Sequence, residues 1–319
     1  MRGFIQVMAL GVLLACSATQ SNALDLVSWE EQEVTIGQGK NALHGTYLAP
    51  DAMTDFEAVL FLSGSGPTDR NGNQPGMENN SLKLLAEALG YAGIASLRVD
   101  KRGVAASLKA GPKEADLRFE TYIDDAKAWL AFLKAQPRVR RVFVLGHSEG
   151  ALIGAVVAQS SDVAGYISLA GAGEKAADIL RRQLAENPIA LAMAEPTLKK
   201  LEAGELDPDA NPALGALFRP SVQPYLISWF NYDPAVEIAK VAGKVAIIQG
   251  THDLQILVKD AEILHAARPD AAYTLIEGMN HILKPAPADR AGNIATYNQP
   301  DLTLAAGVND AVALAIFGP

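Results

Sequence analysis

Val142-Phe143-Val144-Leu145 runs without a break into Gly146-His147-Ser148-Glu149-Gly150, and residues 151–159 continue as a helix-forming stretch. A short, wholly apolar run that ends in glycine reads as a strand covered on both faces, as in a parallel sheet between two layers of helices. The turn from such a strand directly into a helix is tight enough that flanking side chains would collide. Glycine therefore stands on both sides of a serine whose hydroxyl is left at the carboxyl end of the strand.

The rest of the chain repeats that architecture. Residues 58–62, 94–99, 166–170, 245–248 and 272–276 are further buried-strand runs. Helices are predicted at 82–89, 258–267 and 302–317. Phe119, Tyr122, Ile123, Ala126, Trp129, Leu130 and Leu133 form an apolar stripe at helical spacing. Strands alternating with helices predict βαβ units and a mostly parallel sheet, an α/β fold. Two β-type runs, 33–36 and 44–48, precede it. A chain of 319 residues with 49% hydrophobic side chains can bury a large core as a single α/β unit.

One interval breaks the rhythm. Between 174 and 244 there is no strong strand, and seven prolines punctuate several helical stretches. About 70 residues is too long for a simple connection, so 174–244 is read as a helical cap insertion over the carboxyl edge of the sheet. Residues 24–173 and 245–319 then form the main domain. Leu226, Ile227, Trp229, Phe230 and Tyr232 would line either the packing face of the insertion or a cleft beneath it.

At the N-terminus, Arg2, the apolar run 4–15 and Ser21-Asn22-Ala23 read as a secretory signal peptide spanning 1–23, too short for a comfortable membrane span. The expected location is periplasmic or extracellular. Cys16, the one cysteine, lies in Leu13-Leu14-Ala15-Cys16, a lipoprotein-type box, and would carry a lipid tether if cleavage fell there; otherwise no membrane insertion is expected after signal cleavage. Either way the sequence offers no intramolecular disulfide and no cysteine nucleophile. The formal charge is −9, and an acidic surface argues against nucleic-acid or anionic-membrane binding. Oligomeric state has no sequence signal.

A serine hydroxyl needs a base to become a nucleophile. Of five histidines, His44 lies in an early strand, His265 falls mid-helix, His252 precedes Asp253 in a turn, and the His147 side chain is expected to point away from the reacting side. His281, after the last strand in Gly278-Met279-Asn280-His281, is where a base could reach Ser148. Asp253, just beyond the 245–248 run, can orient that imidazole. The order Ser148, Asp253, His281 is that of α/β hydrolases rather than of trypsin-like or subtilisin-like enzymes. An oxyanion hole would use the Glu149 amide and, from the glycine-rich loop 63–72, the Ser65 amide. Asp69 and Arg70 are expected to form an ion pair bracing that loop. The histidines show no metal-ligand spacing.

Gly64-Ser65-Gly66-Pro67-Thr68-Asp69-Arg70-Asn71-Gly72, Val99-Asp100-Lys101-Arg102-Gly103, Gly146 to Gly150 and Gly278 to His281 together resemble bacterial α/β-hydrolase serine esterases. The likeness is to the branch with a Gly-Ser-Gly-Pro-x-Asp-Arg-x-Gly oxyanion loop and a helical cap. It runs from about residue 57 to the C-terminus. It implies carboxylesterase activity on small acyl esters, through an acyl-enzyme and without a cofactor. Ser63 departs from the His often found there, and 102–107 lack the second glycine common after Arg-Gly. Related branches include peptidases, thioesterases and acyltransferases on the same triad. A reading of another class is a binding protein that kept the fold and lost catalysis.

Overall fold

The computed structural model describes residues 28–51, 53–160 and 162–318. The expected signal segment and Cys16 lie outside them. Eight strands, β1 (Trp29–Ile36), β2 (Leu43–Pro50), β3 (Phe56–Leu62), β4 (Ala95–Val99), β5 (Val139–His147), β6 (Gly165–Leu169), β7 (Lys244–Gly250) and β8 (Ala272–Ile276), form one sheet in the order β1-β2-β4-β3-β5-β6-β7-β8. The β1–β2 and β2–β4 pairings are antiparallel; every pairing from β4 through β8 is parallel.

Side-chain alternation divides the core between the two faces of the sheet. Ala58, Leu60 and Leu62 of β3, with Val142 and Val144 of β5, face α2 (Phe119–Lys134), α3 (Glu149–Ser160) and α9 (Val258–Ala267). Val59, Phe61, Phe143 and Leu145 face α1 (Ser81–Tyr91) and α11 (Val308–Phe317). The α2 stripe behaves as its spacing demands. Phe119, Ile123, Ala126, Trp129, Leu130 and Leu133 are buried, each large one contributing about 1.5–3 kcal/mol of apolar burial.

The expected helix at 302–317 is shorter, beginning at Val308. Gly307, at φ +88°, turns the chain immediately before the first helical turn, and the Leu302 carbonyl is taken up by the Lys284 ammonium. Between β6 and β7 stand five helices: α4 (Ala176–Leu184), α5 (Pro188–Glu202), α6 (Gly215–Phe218), α7 (Gln223–Phe230) and α8 (Pro234–Ala239). α10 (Arg290–Ala295) follows β8.

The strand order reverses at β3. The chain passes from β3 to β4 on one side and then returns to place β5 on the other. In open α/β sheets that switch point opens a crevice beyond the carboxyl ends of the strands. Here those ends carry Ser63–Gly66 and Ser148.

Candidate active site

Ser148 sits between β5 and α3 at φ +57°. Its amide donates to the Leu169 carbonyl, 3.1 Å, and its carbonyl accepts from the Ala151 amide, 3.0 Å. A left-handed backbone at a non-glycine residue is costly and persists where the surroundings over-determine it. The flanking glycines are obligatory: a Cβ on Gly146 would run into the Gly150 carbonyl, and one on Gly150 into the Leu62 carbonyl.

Asp253 and His281 meet across the loops that follow β7 and β8. His281 Nδ1 donates to Asp253 Oδ2 at 2.7 Å, and both residues are buried. Asp253 is fixed by further donors. Its Oδ1 accepts the Gln255 and Ile256 amides at 2.8 and 3.0 Å, and Oδ2 accepts the Gln249 side-chain amide at 3.3 Å. With Nδ1 protonated toward Asp253, a neutral His281 keeps its lone pair on Nε2.

His147 departs from expectation. β5 extends through it, so alternation puts its side chain on the face of Phe143 and Leu145. The ring lies 4.8 Å from that of His281, and its Nε2 bonds the His281 carbonyl at 2.8 Å. Burial, with the positive charge of a protonated His281 acting in the same sense, pushes His147 down to about 3. It is neutral at ordinary pH, and its Nε2–H steadies the backbone that carries the candidate base.

Across the crevice, the loop after β3 comes close against the serine: a Cβ on Gly64 would lie 3.1 Å from Ser148 Cβ. Ser65 and Glu149 both border the same cavity as Ser148. Neither of their amides donates to another group among the described residues. The expected Asp69–Arg70 pair does not form. Asp69 instead accepts the Asn71 and Asn73 amides of its own turn, 2.8 and 2.9 Å. Arg70 reaches inward to Asp100, 2.8 Å, and Glu33, 2.6 Å. A carboxylate one residue before arginine is better placed to close its own turn than to fold back on the guanidinium. Ser63 donates to the Thr68 carbonyl, 3.2 Å, and so closes the loop without an imidazole.

The cavity measures about 650 Å³ and runs beneath the 174–244 segment. Leu226 and Trp229 of α7 line it, while Phe230, Ile227 and Tyr232 pack against the core. Two polar residues there have no role that the sequence by itself assigns. Lys101, two residues beyond β4, and Tyr225 of α7 both converge on the Glu149 carboxylate. The signal available for Lys101 is a charged residue just beyond a buried strand. Tyr225 offers none, since in sequence it resembles an ordinary core aromatic. Among the described residues no three His, Cys, Asp or Glu side chains gather as a metal site would require.

The profile of the family described as Serine aminopeptidase, S33, matches residues 76–295. The glycine-rich loop at 63–72 precedes that span. Esterase EstD of Thermotoga maritima is 30% identical over 268 residues, 82% of this chain; the chain spans 61% of that esterase's length. Among solved structures, Est1E from Butyrivibrio proteoclasticus superposes with a TM-score of 0.56 at 16% identity, covering 89% of this chain and 98% of its own. The α/β hydrolase GrgF from Penicillium sp. sh18 gives 0.55 at 19%, covering 80% and 91%. At such identities these two likenesses are of fold.

Proposed function

This chain belongs to the α/β-hydrolase family described as Serine aminopeptidase, S33, and from that premise we propose that it hydrolyses carboxylic esters of small acyl substrates through Ser148, His281 and Asp253. The observation that carries the reading is the Asp253–His281 hydrogen bond, buried at the same sheet edge where Ser148 is held in a strained turn beside a cavity. The 30% identity to an esterase favours esters over amides.

In this reading His281 Nε2 takes the Ser148 proton as Oγ attacks the ester carbonyl. The oxyanion is met by the Ser65 and Glu149 amides, each worth about 3–4 kcal/mol to the transition state. His281 then protonates the departing alcohol, leaving an acyl-enzyme. A water molecule, deprotonated by the same imidazole, releases the acid and restores Ser148. Asp253 holds the tautomer throughout. Export is part of the proposal, supported by the composition of 1–23. The mass of the mature N-terminus would separate cleavage after Ala23 from a lipid on Cys16.

The test is fluorophosphonate labelling with peptide mapping, alongside turnover of p-nitrophenyl esters, thioesters and aminoacyl amides. An adduct on Ser148 that is absent from Ser148→Ala, with ester turnover leading, is the expected result. Undiminished labelling of Ser148→Ala would sink the assignment. Amide turnover leading would transfer the reading to a peptidase, which the family's description makes the specific rival.

A further inference from the structure

The loops after β3, β4 and β5 meet at one ion pair. Lys101 is buried; its ammonium donates to the Gly64 carbonyl, lies 3.6 Å from Glu149 Oε2 and sits 5.5 Å over the Tyr122 ring. Glu149 is 5% exposed. Its Oε1 accepts from the Tyr225 hydroxyl, whereas Oε2 has no hydrogen-bond partner and only the lysine's charge to answer it. Burying two charges is expensive, and a close-packed apolar pair of the same volume is often no less stable. The cost calls for a role beyond packing.

Peptide geometry supplies one. There is no cis peptide among the described residues, so the Gly64 carbonyl and the Ser65 N–H point in opposite directions from one rigid plane. A lysine that grips the Gly64 oxygen therefore sets the direction of the Ser65 N–H. Glycine at 64 leaves this plane free to turn unless something holds it. The partner of that lysine, Glu149, carries the second free amide on its own backbone. It stands at the first position of α3, where the N–H has no partner within the helix.

We propose that the buried Lys101–Glu149 pair is the positioning device of the oxyanion hole, Lys101 fixing the plane of the Gly64–Ser65 peptide and Glu149 tying it to the second donor across the reacting carbonyl. The inference rests on the serine-hydrolase reading above. Neither side chain touches the reacting atoms; both act through the amides. Tyr225, on α7, extends the tie to the helical segment over the cavity, so that segment and the oxyanion loop share one polar junction.

The experiment compares wild type, Lys101→Met and Lys101→Met/Glu149→Gln. It measures kcat and KM on p-nitrophenyl butyrate and Ki for a trifluoromethyl ketone, whose serine adduct presents an oxyanion. Fluorophosphonate labelling and thermal unfolding are run in parallel. Lys101→Met leaves a buried carboxylate uncompensated and will lose stability; the double variant removes that charge and is the decisive one. The expected result is a folded double variant whose kcat falls on the order of 10²-fold, the scale of one lost oxyanion donor. Its ketone affinity should fall by a similar factor while KM moves less than about threefold, because only the transition state uses the aimed amide. Unchanged kcat and ketone affinity in the folded double variant would overturn the proposal, as would a kcat loss with ketone affinity intact. A wild type that neither labels nor turns over ester would instead bring down the hydrolase reading and this inference with it.

Discussion

Ser148 has two shoulders, and they are built from different materials. On the β7–β8 side, position is set by hydrogen bonds to backbone and neutral groups: two amides on Asp253 Oδ1, the neutral His147 ring on the His281 carbonyl, and Asn280 bonded to Thr296 at 2.8 Å. On the β3–β4 side, position is set by charge: buried Arg70 between buried Asp100 and the largely exposed Glu33, and buried Lys101 against Glu149. The difference follows from what each side must hold. On the proposed mechanism the His281 imidazole would change charge in each cycle, and it is best framed by groups that keep their own charge state. The two glycines nearest the serine, Gly64 and Gly66, offer no side chain to hold, so this part of the loop is gripped through the Gly64 carbonyl and through Arg70. Neutral bonds fail gradually when one is lost; a buried ion pair fails abruptly, because its survivor is left uncompensated.

The largest effects should come from the first shoulder and appear in rate. His281→Ala and Asp253→Asn are each expected to lower kcat about 10⁴-fold while leaving the protein folded, since an orienting carboxylate lost to an amide leaves the wrong tautomer in place. Steady-state ester kinetics with a thermal melt on the same samples would check this. Turnover within tenfold of wild type in either variant would remove that residue from the triad.

The second shoulder should break in stability. Arg70→Met leaves Asp100, 2% exposed, with only the Arg70 and Ala106 amides, 2.9 and 3.1 Å. About 3–5 kcal/mol of stability should be lost, read by urea unfolding, and Arg70→Met/Asp100→Asn should recover part of it. A cost below about 1 kcal/mol would erase the contrast between the shoulders. His147 offers a pH test of the other side. Its folded value near 3 lies below the ordinary 6.5, so the unfolded chain binds the extra proton first as pH falls. The stability from a neutral His147 is complete above pH 6.5 and drains away toward pH 3. Between pH 6.5 and 5 the wild type should lose roughly 1.6 kcal/mol more than His147→Asn. Parallel stability profiles for the two proteins would mean that His147 is not held neutral by burial.

The sheet is legible in the sequence because continuous apolar runs have one reading when helices cover both faces. Residues 272–276 and 258–267 appear as β8 and α9 without a shift. Ser148 is readable from local sterics, and Asp253 with His281 from their positions just past strand ends. What stays hidden depends on contacts between distant segments. The apolar run stops at Leu145, which hides the true end of β5; strand geometry continuing through His147 turns its ring toward His281. Arg70 finds Glu33 and Asp100, 37 and 30 positions away, rather than its neighbour Asp69. Lys101 is marked in sequence only as a charge just beyond a buried strand; its task stays hidden, since its partner is a carbonyl oxygen that no residue type announces.

The smallest effect is the one that isolates burial as the cause. Arg219 and Glu114 form an ion pair at the cavity mouth, with side chains 44% and 38% exposed. In geometry it is as direct as the Arg70–Asp100 pair, and Arg219 also caps the Ala216 carbonyl at 2.9 Å. Water, however, can solvate either partner once the other is gone. Arg219→Met should therefore change stability by less than about 1 kcal/mol. Raising salt to 1 M, where the Debye length falls to about 3 Å, should abolish most of that difference. The Arg70→Met deficit should survive the same salt, because ions do not reach a buried carboxylate. If the two variants lost comparable stability, or if salt erased both deficits alike, exposure would not be what separates them. The gripping of the β3–β4 shoulder would then need another explanation than uncompensated charge.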